Sequence, residues 1–400
     1  MSVAPAPLLP VSRIMYNAER GLFDLRQGRP LFITDKGASS SDGGLVSGAL
    51  VAAVDGLDLD SLDRFRAMGT EALRLVVTAH RIASMGLSPA EINELGDAGY
   101  SIPLRHAVNM QEILGLACSS DVAYEAAASQ LSSATPVEAA GLSLVRLSRL
   151  LPAVVAMPVG IPPASRIDEA LSTGELLSVD VGEVNEYYTA SCDGNVVAIS
   201  EAPVPLTESE ESRFVLFRES HGLQEHVAVI VGNPKDWPDP LPVRLHSACF
   251  TGDLFGSLKC DCGEQLLGSM KFFEEKGGGV LLYLAQEGRG IGLNNKFRAY
   301  RLQENGLDTI DADRTLGFGP DERRYGVAAQ ILHEIGIGRI ELLTNNPDKV
   351  QAMQDAGIEV VNRRPLHGTL NRYNRPYVEA KVARAGHWLH DMLAQSTAGD

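Results

Sequence analysis

The stretch "RIELLTNNPDKVQAMQDAGIEVV", residues 339–361, reads as strand, turn, helix and strand in succession. Pro347 falls in the first helical turn, where its missing N–H is tolerated because that group has no intrahelical partner. Strand alternating with helix places this part of the chain in the α/β class. The turn, "LLTNNPDK" (342–349), sits where an open α/β sheet gathers ligands, and a helix start favours anions. Asn345 or Asn346 acting as an ordinary helix cap explains the same residues equally well.

The flanking sequence extends the pattern. "HVAVIVG" (226–232) alternates as a strand, and "GEQLLGSMKFFEEKG" (263–277) has a helical period that ends at Gly277. "VLLYLAQEGRGIGL" (280–293) is a strand entering a glycine-rich turn, and "NNKFRAYRLQENG" (294–306) is a helix closed by Gly306. In the first half, "RPLFITD" (29–35) predicts a buried strand, "TPVEAAGLSLVRLSRLL" (135–151) an amphipathic helix and "AVVAMPV" (153–159) a strand. The run 61–87 starts helical and passes through β-branched residues at 76–78; 181–200 predicts strands around Asp193-Gly194. "EAPVPLTESEESR" (201–213), with two prolines and an acidic run, is the expected linker. The expected organisation is a flexible 1–17, a first α/β domain over 18–200, and a second over 214–400.

Four hundred residues exceed one ordinary core, in keeping with two domains. With 35 basic and 51 acidic residues the formal charge is −16, which argues against a broad nucleic-acid-binding face. A local basic pocket inside an acidic protein still suits a small polyanion. No signal peptide is expected, and no apolar run reaches the ~20 residues of a membrane span. Cys118 and Cys192 stand alone while three cysteines cluster, which is not a disulfide framework. A cytoplasmic protein without membrane or nucleic-acid partners is the expectation.

The clustered cysteines lie in "CFTGDLFGSLKCDCG" (249–263), at Cys249, Cys260 and Cys262. Three thiolates plus a water describe a catalytic zinc site. A closed structural site with His246 as fourth ligand, or three buried free thiols, fit the same spacing. In "YLAQEGRGIGL" (283–293), Gly288, Gly290 and Gly292 bring backbone amides towards a phosphate, or simply make a tight turn. The loop "GFGPDERRYG" (317–326) concentrates charge, as many solvated loops do.

Together, "TGDLFGSLKCDCG", "QEGRGIGL", "LGFGPDERRYG" and "LLTNNPDK" resemble the GTP cyclohydrolase II family, over roughly Pro205–Leu389. The resemblance implies one zinc ion on Cys249, Cys260 and Cys262, with Mg2+ accompanying the triphosphate. It implies Asp321 as proton acceptor, Arg323 as the group acting at the α-phosphate, and Tyr300 as a further catalytic residue. Arg244, His246, Ser247, Gln265, Gln286, Glu287, Gly288, Arg289, Thr309, Thr344 and Lys349 fall on nucleotide-site positions. A homodimer is also implied.

The first half resembles 3,4-dihydroxy-2-butanone 4-phosphate synthase, through "ERGLFDLRQGRPLFITD", "IPLRH" and "VEAAGLSLVRLSRLLPAVV". Where that family carries an acidic magnesium loop this chain reads "DKGASSSDGG" (35–44), and Pro136 replaces its catalytic histidine. The first domain is therefore expected to be inactive as a synthase, acting as scaffold, interface or regulator. The second half departs too: Ala248 replaces a family glutamate and Ala285 an arginine. Loss of that charge pair points to a retuned base pocket, and the combination resembles a branch associated with uracil breakdown. On that resemblance the expected substrate is a uridine nucleotide, UTP before UMP, with GTP itself or a non-catalytic nucleotide binder as alternatives.

Overall fold

The computed structural model of the 400-residue chain describes residues 15–37, 47–69, 71–87, 99–121, 131–159, 165–192, 195–220, 223–389 and 393. The chain forms two compact units. The N-terminal unit comprises 11–190 together with 294–321; the C-terminal unit comprises 191–293 and 322–400, with 1–10 outside the described residues. The α/β class holds for both.

In the N-terminal unit, β1 (Leu31–Asp35), β2 (Ser47–Ala53), β3 (Arg74–Val77), β4 (Tyr100–Pro103), β5 (Ser132–Ser133), β6 (Ala153–Val159) and β7 (Leu177–Asp180) form one sheet. Its order is β5-β4-β3-β6-β2-β1-β7, antiparallel except for the β1–β7 pair. Helices α1 (Tyr16–Arg26) and α3 (Pro136–Leu147) pack together, and α3 covers β1, β2 and β6. Val137, Ala140, Leu144 and Val145 of α3 are buried, and Gly141 lets it approach closely: a Cβ there would lie 2.6 Å from Val51 Cγ1.

Between β3 and β4, helix α2 (Ala79–Ser84) carries Arg81, which is 1% exposed. Its guanidinium donates to the carbonyls of Gly115, Leu116 and Ser119, where helix Met110–Cys118 ends, and of Thr315. A cation among the free carbonyls of helix C-termini satisfies them and complements the helix dipole. Burial pulls the Arg81 pKa down to about 10, which leaves it charged at neutral pH.

Arg81 also explains why 294–321 belongs to this unit. That segment holds α5, with its range Leu293–Glu304, and α6 (Thr309–Thr315). Arg298 bonds both oxygens of the buried Asp55, Asn295 Nδ2 donates to the Arg149 carbonyl, and Thr78 Oγ1 donates to the Gly317 carbonyl. Gly317 has φ +86°, and a Cβ there would meet Pro152 and Thr78 at about 3 Å.

Two sequence expectations differ from the structure. Residues 181–192 are not strand but helix α4 (Val181–Cys192). Asp180 Oδ1 accepts from Gly182 N–H, Glu183 reaches back to Asp180 N–H, and Val184 and Tyr187 bury at helical spacing. The turn Asp193-Gly194 lies outside the described residues, as does most of 35–44. The stretch 201–213 is not a linker between the units: it completes β8 (Val196–Pro203), turns, and starts β9 (Ser212–Glu219), two paired strands of the second sheet.

That sheet adds β10 (Glu225–Val231), β11 (Leu241–Ser247), β12 (Gly279–Leu284), β13 (Arg339–Leu343) and β14 (Glu359–Arg364) in the order β14-β13-β11-β12-β10-β9-β8. β14, β13, β11 and β12 run parallel; β12, β10, β9 and β8 alternate. One face buries Val243, Leu245, Leu282 and Leu342 with the helix Gly326–Glu334. The other buries Val229, Val231 and Leu281 against Met270 and Phe273 of α7, which here denotes Cys262–Lys276. Helix α8 (Pro347–Asp355) joins β13 to β14 with Asn346 as its cap, as the sequence suggested. No helix among the described residues is long and apolar enough to cross a membrane.

Replacing Arg81 by methionine takes a donor from the buried Thr315 carbonyl and from the part-buried carbonyls of Gly115, Leu116 and Ser119. We expect Arg81→Met to lower stability by about 3 kcal/mol. Hydrogen exchange of 309–317 should speed up with it. A change below about 1 kcal/mol in denaturant unfolding, with unaltered exchange, would remove this account of the anchoring.

Candidate metal and nucleotide site

The parallel strands β11, β12 and β13 end on the same side of the second sheet, and each end carries one of the sequence motifs. Cys249 follows β11, while Cys260 and Cys262 lead into α7. The three Sγ atoms lie within 4.8 Å of one another, with Cys249 and Cys260 at 3.7 Å. Tetrahedral bonds of about 2.3 Å put sulfurs about 3.8 Å apart, so the thiols fit a thiophilic metal. Gly252 leaves room for them: a Cβ there would lie 2.7 Å from Cys260 Sγ and 3.0 Å from Cys249 Sγ. Among the described residues the group holds no histidine or carboxylate. Contact with Cys249 leads in pushing the Cys260 pKa up to about 11, and the neighbouring thiols raise Cys262 well above its ordinary value. A bound cation reverses that direction, because coordination needs the thiolate.

His246 is engaged elsewhere. Its Nε2 lies 3.0 Å from Asp253 Oδ1, and since a carboxylate only accepts, the proton sits on Nε2. Burial keeps the His246 pKa below its usual value, and its Nδ1 is buried without a partner. Asp253 Oδ2 also accepts from the Cys249 N–H and the Tyr283 hydroxyl, both at 2.9 Å. Tyr283 stacks on the His246 ring, with centroids 5.6 Å apart. Glu287 accepts from the Phe250 N–H at 2.6 Å, so two carboxylates hold consecutive amides where the Cys249 loop begins.

Beside the thiols lies a cavity lined by Arg244, His246, Ser247, Gln265, Arg323, Thr344 and Lys349, all expected from the sequence, and by Cys262. Arg244 donates to the Leu343 carbonyl and to Gln265 Oε1, and Gln265 Nε2 donates to Asp261. Burial lowers the Arg244 pKa to about 10, so the guanidinium stays charged. Lys349 Nζ donates to the Leu245 carbonyl at 2.7 Å. The Tyr325 ring has the Arg323 and Lys349 cations each 5.4 Å from its centroid. Arg244 Nε, His246 Nδ1, Ser247 Oγ and Asn345 Oδ1 are buried with no hydrogen-bond partner among the described residues, which marks a wall built for a ligand.

The glycine-rich turn packs on the charged loop. Gln286 Nε2 donates to the Arg324 carbonyl, and the Glu322 N–H donates to the Arg289 carbonyl. Gly288, Arg289 and Gly290 all have positive φ; Arg289, at +60°, stores about 1 kcal/mol of strain. Gly290 is required because a Cβ would lie 2.8 Å from the Glu322 backbone. Ala248 and Ala285 are neighbours beyond the last β11–β12 rung: the Ala248 N–H donates to Leu284, and the Ala285 N–H to His226 Nδ1. Neither lines the cavity.

Tyr300, Thr309 and Asp321 fall in the N-terminal unit, Tyr300 beside Lys296, Thr309 opening α6 and Asp321 as its last residue. Sequence reading missed Asp253, Tyr283, Asp261, Tyr325, Tyr377, Lys381 and His387. Asp253 had a signal, since it stands four residues after Cys249 inside the quoted motif.

A methyl group at residue 252 intrudes on two sulfurs. Gly252→Ala should weaken zinc binding at least tenfold in chelator competition while the Tm of the metal-free protein changes little. Unchanged affinity would mean that the thiols do not share a metal.

A family model described as GTP cyclohydrolase II matches residues 197–365. Over 372 residues the chain is 37% identical to GTP cyclohydrolase-2 of Xylella fastidiosa, covering 92% of this chain and 86% of that one. It is 45% identical over 250 residues to GTP cyclohydrolase-2 of Azospirillum brasilense, covering 62% of this chain and 64% of that one. A solved two-domain 3,4-dihydroxy-2-butanone 4-phosphate synthase from A. baumannii aligns with 87% of this chain and 98% of its own at 15% identity, with a TM-score of 0.33. Because the Xylella likeness runs through both units at this identity, the chain belongs to the GTP cyclohydrolase II family and is a hydrolase of carbon–nitrogen bonds.

Proposed function

We propose that the chain opens the base ring of a nucleoside triphosphate by hydrolysis, with GTP as substrate and formate and pyrophosphate released. One observation carries this reading: Cys262 belongs both to the three-thiol cluster and to the wall of a cavity rich in arginine and lysine. The relatives that share both units and are called GTP cyclohydrolase-2 support guanine as the base.

Cys249, Cys260 and Cys262 would hold zinc, which would supply Lewis-acid chemistry beside the cavity. Arg244, Arg323 and Lys349 neutralise the phosphates, and the bonds of Arg244 to Leu343 and Gln265 order it before substrate arrives. His246 presents Nδ1 as an acceptor because Asp253 fixes its proton on Nε2. Arg323 acting at the α-phosphate, Asp321 as proton acceptor, Tyr300 as a catalytic residue and Thr309 as a nucleotide contact are parts of this proposal. Synthase chemistry is not: Pro136 stands at the first helical position behind the Thr135 cap, and offers no group to move a proton.

A second reading, a uridine nucleotide as substrate, rests on Ala248 and Ala285. Their adjacency means that a glutamate and an arginine there would face each other as a pair, which this chain lacks.

Zinc-loaded protein is incubated with Mg2+ and GTP, UTP, UMP or CTP, following base absorbance, formate and pyrophosphate. Turnover of GTP with formate release is expected. Turnover of a uridine nucleotide alone establishes the second reading, and no turnover of any nucleotide defeats both. Ala248→Glu with Ala285→Arg should shift the GTP-to-UTP ratio of kcat/KM at least tenfold if that rung senses the base. An unchanged ratio removes the ground of the uridine reading.

A further inference from the structure

We propose that the C-terminal helix α9, spanning Arg375–Ala385, supplies Lys381 as an additional phosphate-binding residue, with Tyr377 positioning both Lys381 and Arg289. The inference rests on the reading of the cavity as a nucleotide triphosphate site and extends it to a segment beyond the residues matched by the family model, which end at 365.

The helix has two faces. Val378 and Val382 pack with Leu370 and Leu389 in a small apolar cluster that holds it down. Tyr377 and Lys381, one turn apart on the other face, line the cavity shared with Arg244, Arg323 and Lys349. The Tyr377 ring carries the Lys381 ammonium 4.0 Å from its centroid and the Arg289 guanidinium at 5.6 Å. One aromatic ring thus fixes two cations that come from distant parts of the chain.

Both flanks of the helix are tied to the same site. Before it, the Gly368 N–H donates to Asp261, the residue between Cys260 and Cys262, and a Cβ on Gly368 would lie 2.9 Å from the Asp261 Cβ. The turn that starts the helix is closed by Asn374, 1% exposed, whose Nδ2 donates to Thr369 and whose Oδ1 accepts from Asn371. After it, the Trp388 N–H donates to the Asn345 carbonyl in the turn after β13, and Arg363 stacks 4.6 Å from the Trp388 ring. The helix is anchored at the cavity rather than hung beside it.

Charge says what it is for. Arg244, Arg323, Lys349 and Lys381 line the cavity together with Asp261, the one carboxylate among the described residues of its wall. That excess of cations in the wall suits a polyanion. Burial opposes the Lys381 ammonium, yet Tyr377 and Asp261 hold its pKa above the ordinary lysine value. His387, at the end of the same segment, is driven down to about 3 by burial and by Lys381, Arg323, Arg289 and Lys349. That is the field of a site built for phosphate.

The test uses the full-length, zinc-loaded protein, with inorganic pyrophosphate and GMP as binding probes beside GTP turnover. Lys381→Met should weaken pyrophosphate at least tenfold and raise KM for GTP comparably, with kcat within about threefold and GMP binding within twofold. Lys381→Arg should restore most of the loss, and Tyr377→Phe should keep it small. Pyrophosphate affinity within twofold of wild type in Lys381→Met overturns the inference, as does equal weakening of GMP and pyrophosphate, which marks general damage. Failure of the wild type to bind pyrophosphate also overturns it. A wild type that binds pyrophosphate through Lys381 but opens no GTP ring leaves the inference standing and defeats the substrate reading instead.

Discussion

The buried carboxylate of Asp253 accepts three hydrogen bonds, from the Cys249 N–H, the Tyr283 hydroxyl and His246 Nε2. Those donors come from the loop of the first thiol, from β12 and from β11. A carboxylate at 4% exposure is tolerated only when its oxygens are filled, so the three partners hold one another in place. Removing Asp253 would free the Cys249 loop, the tautomer of His246 and the Tyr283 ring together. The three-thiol cluster and the cavity wall are therefore joined through a single side chain.

Two strains accompany it. Arg289 sits in a left-handed conformation between two glycines, and the glycine-rich turn presses on the backbone of Glu322. Neither suits stability alone. Each brings a charged residue, Arg289 or Arg323, to a place it would not otherwise reach. The N-terminal unit has its own buried charges that tie elements together. Arg81 closes the C-terminal ends of helices, and with Asp55 and Thr78 it ties 294–321 to the first sheet. Tyr300, Thr309 and Asp321 thus belong to the N-terminal unit.

Much of this was legible in the sequence. Strand, turn, helix and strand over 339–361 stand where the pattern placed them, with Pro347 opening α8 and Gly277 closing α7. The thiols meet because two of them lead one helix and the third ends the neighbouring strand, a proximity that spacing suggests but does not prove. The failures have physical causes. Helix α4 was read as strand because Val181, Val184, Tyr187 and Tyr188 favour strands individually, while the Asp180 and Glu183 cap and burial at helical spacing decide the matter. The acidic, proline-containing 201–213 resembled a linker because the turn from the edge strand β8 into β9 has the same composition. Lys381 carried no signal: on an ordinary amphipathic helix nothing in the sequence says which polar face meets a cavity.

The central claim is that three cysteine thiolates hold zinc and leave a coordination position free of protein. X-ray absorption at the zinc K-edge of the loaded protein tests it most directly. The account predicts three sulfurs at about 2.3 Å and one light atom at about 2.0 Å without the outer-shell pattern of imidazole. Four sulfurs, or three sulfurs with a histidine pattern, would contradict it.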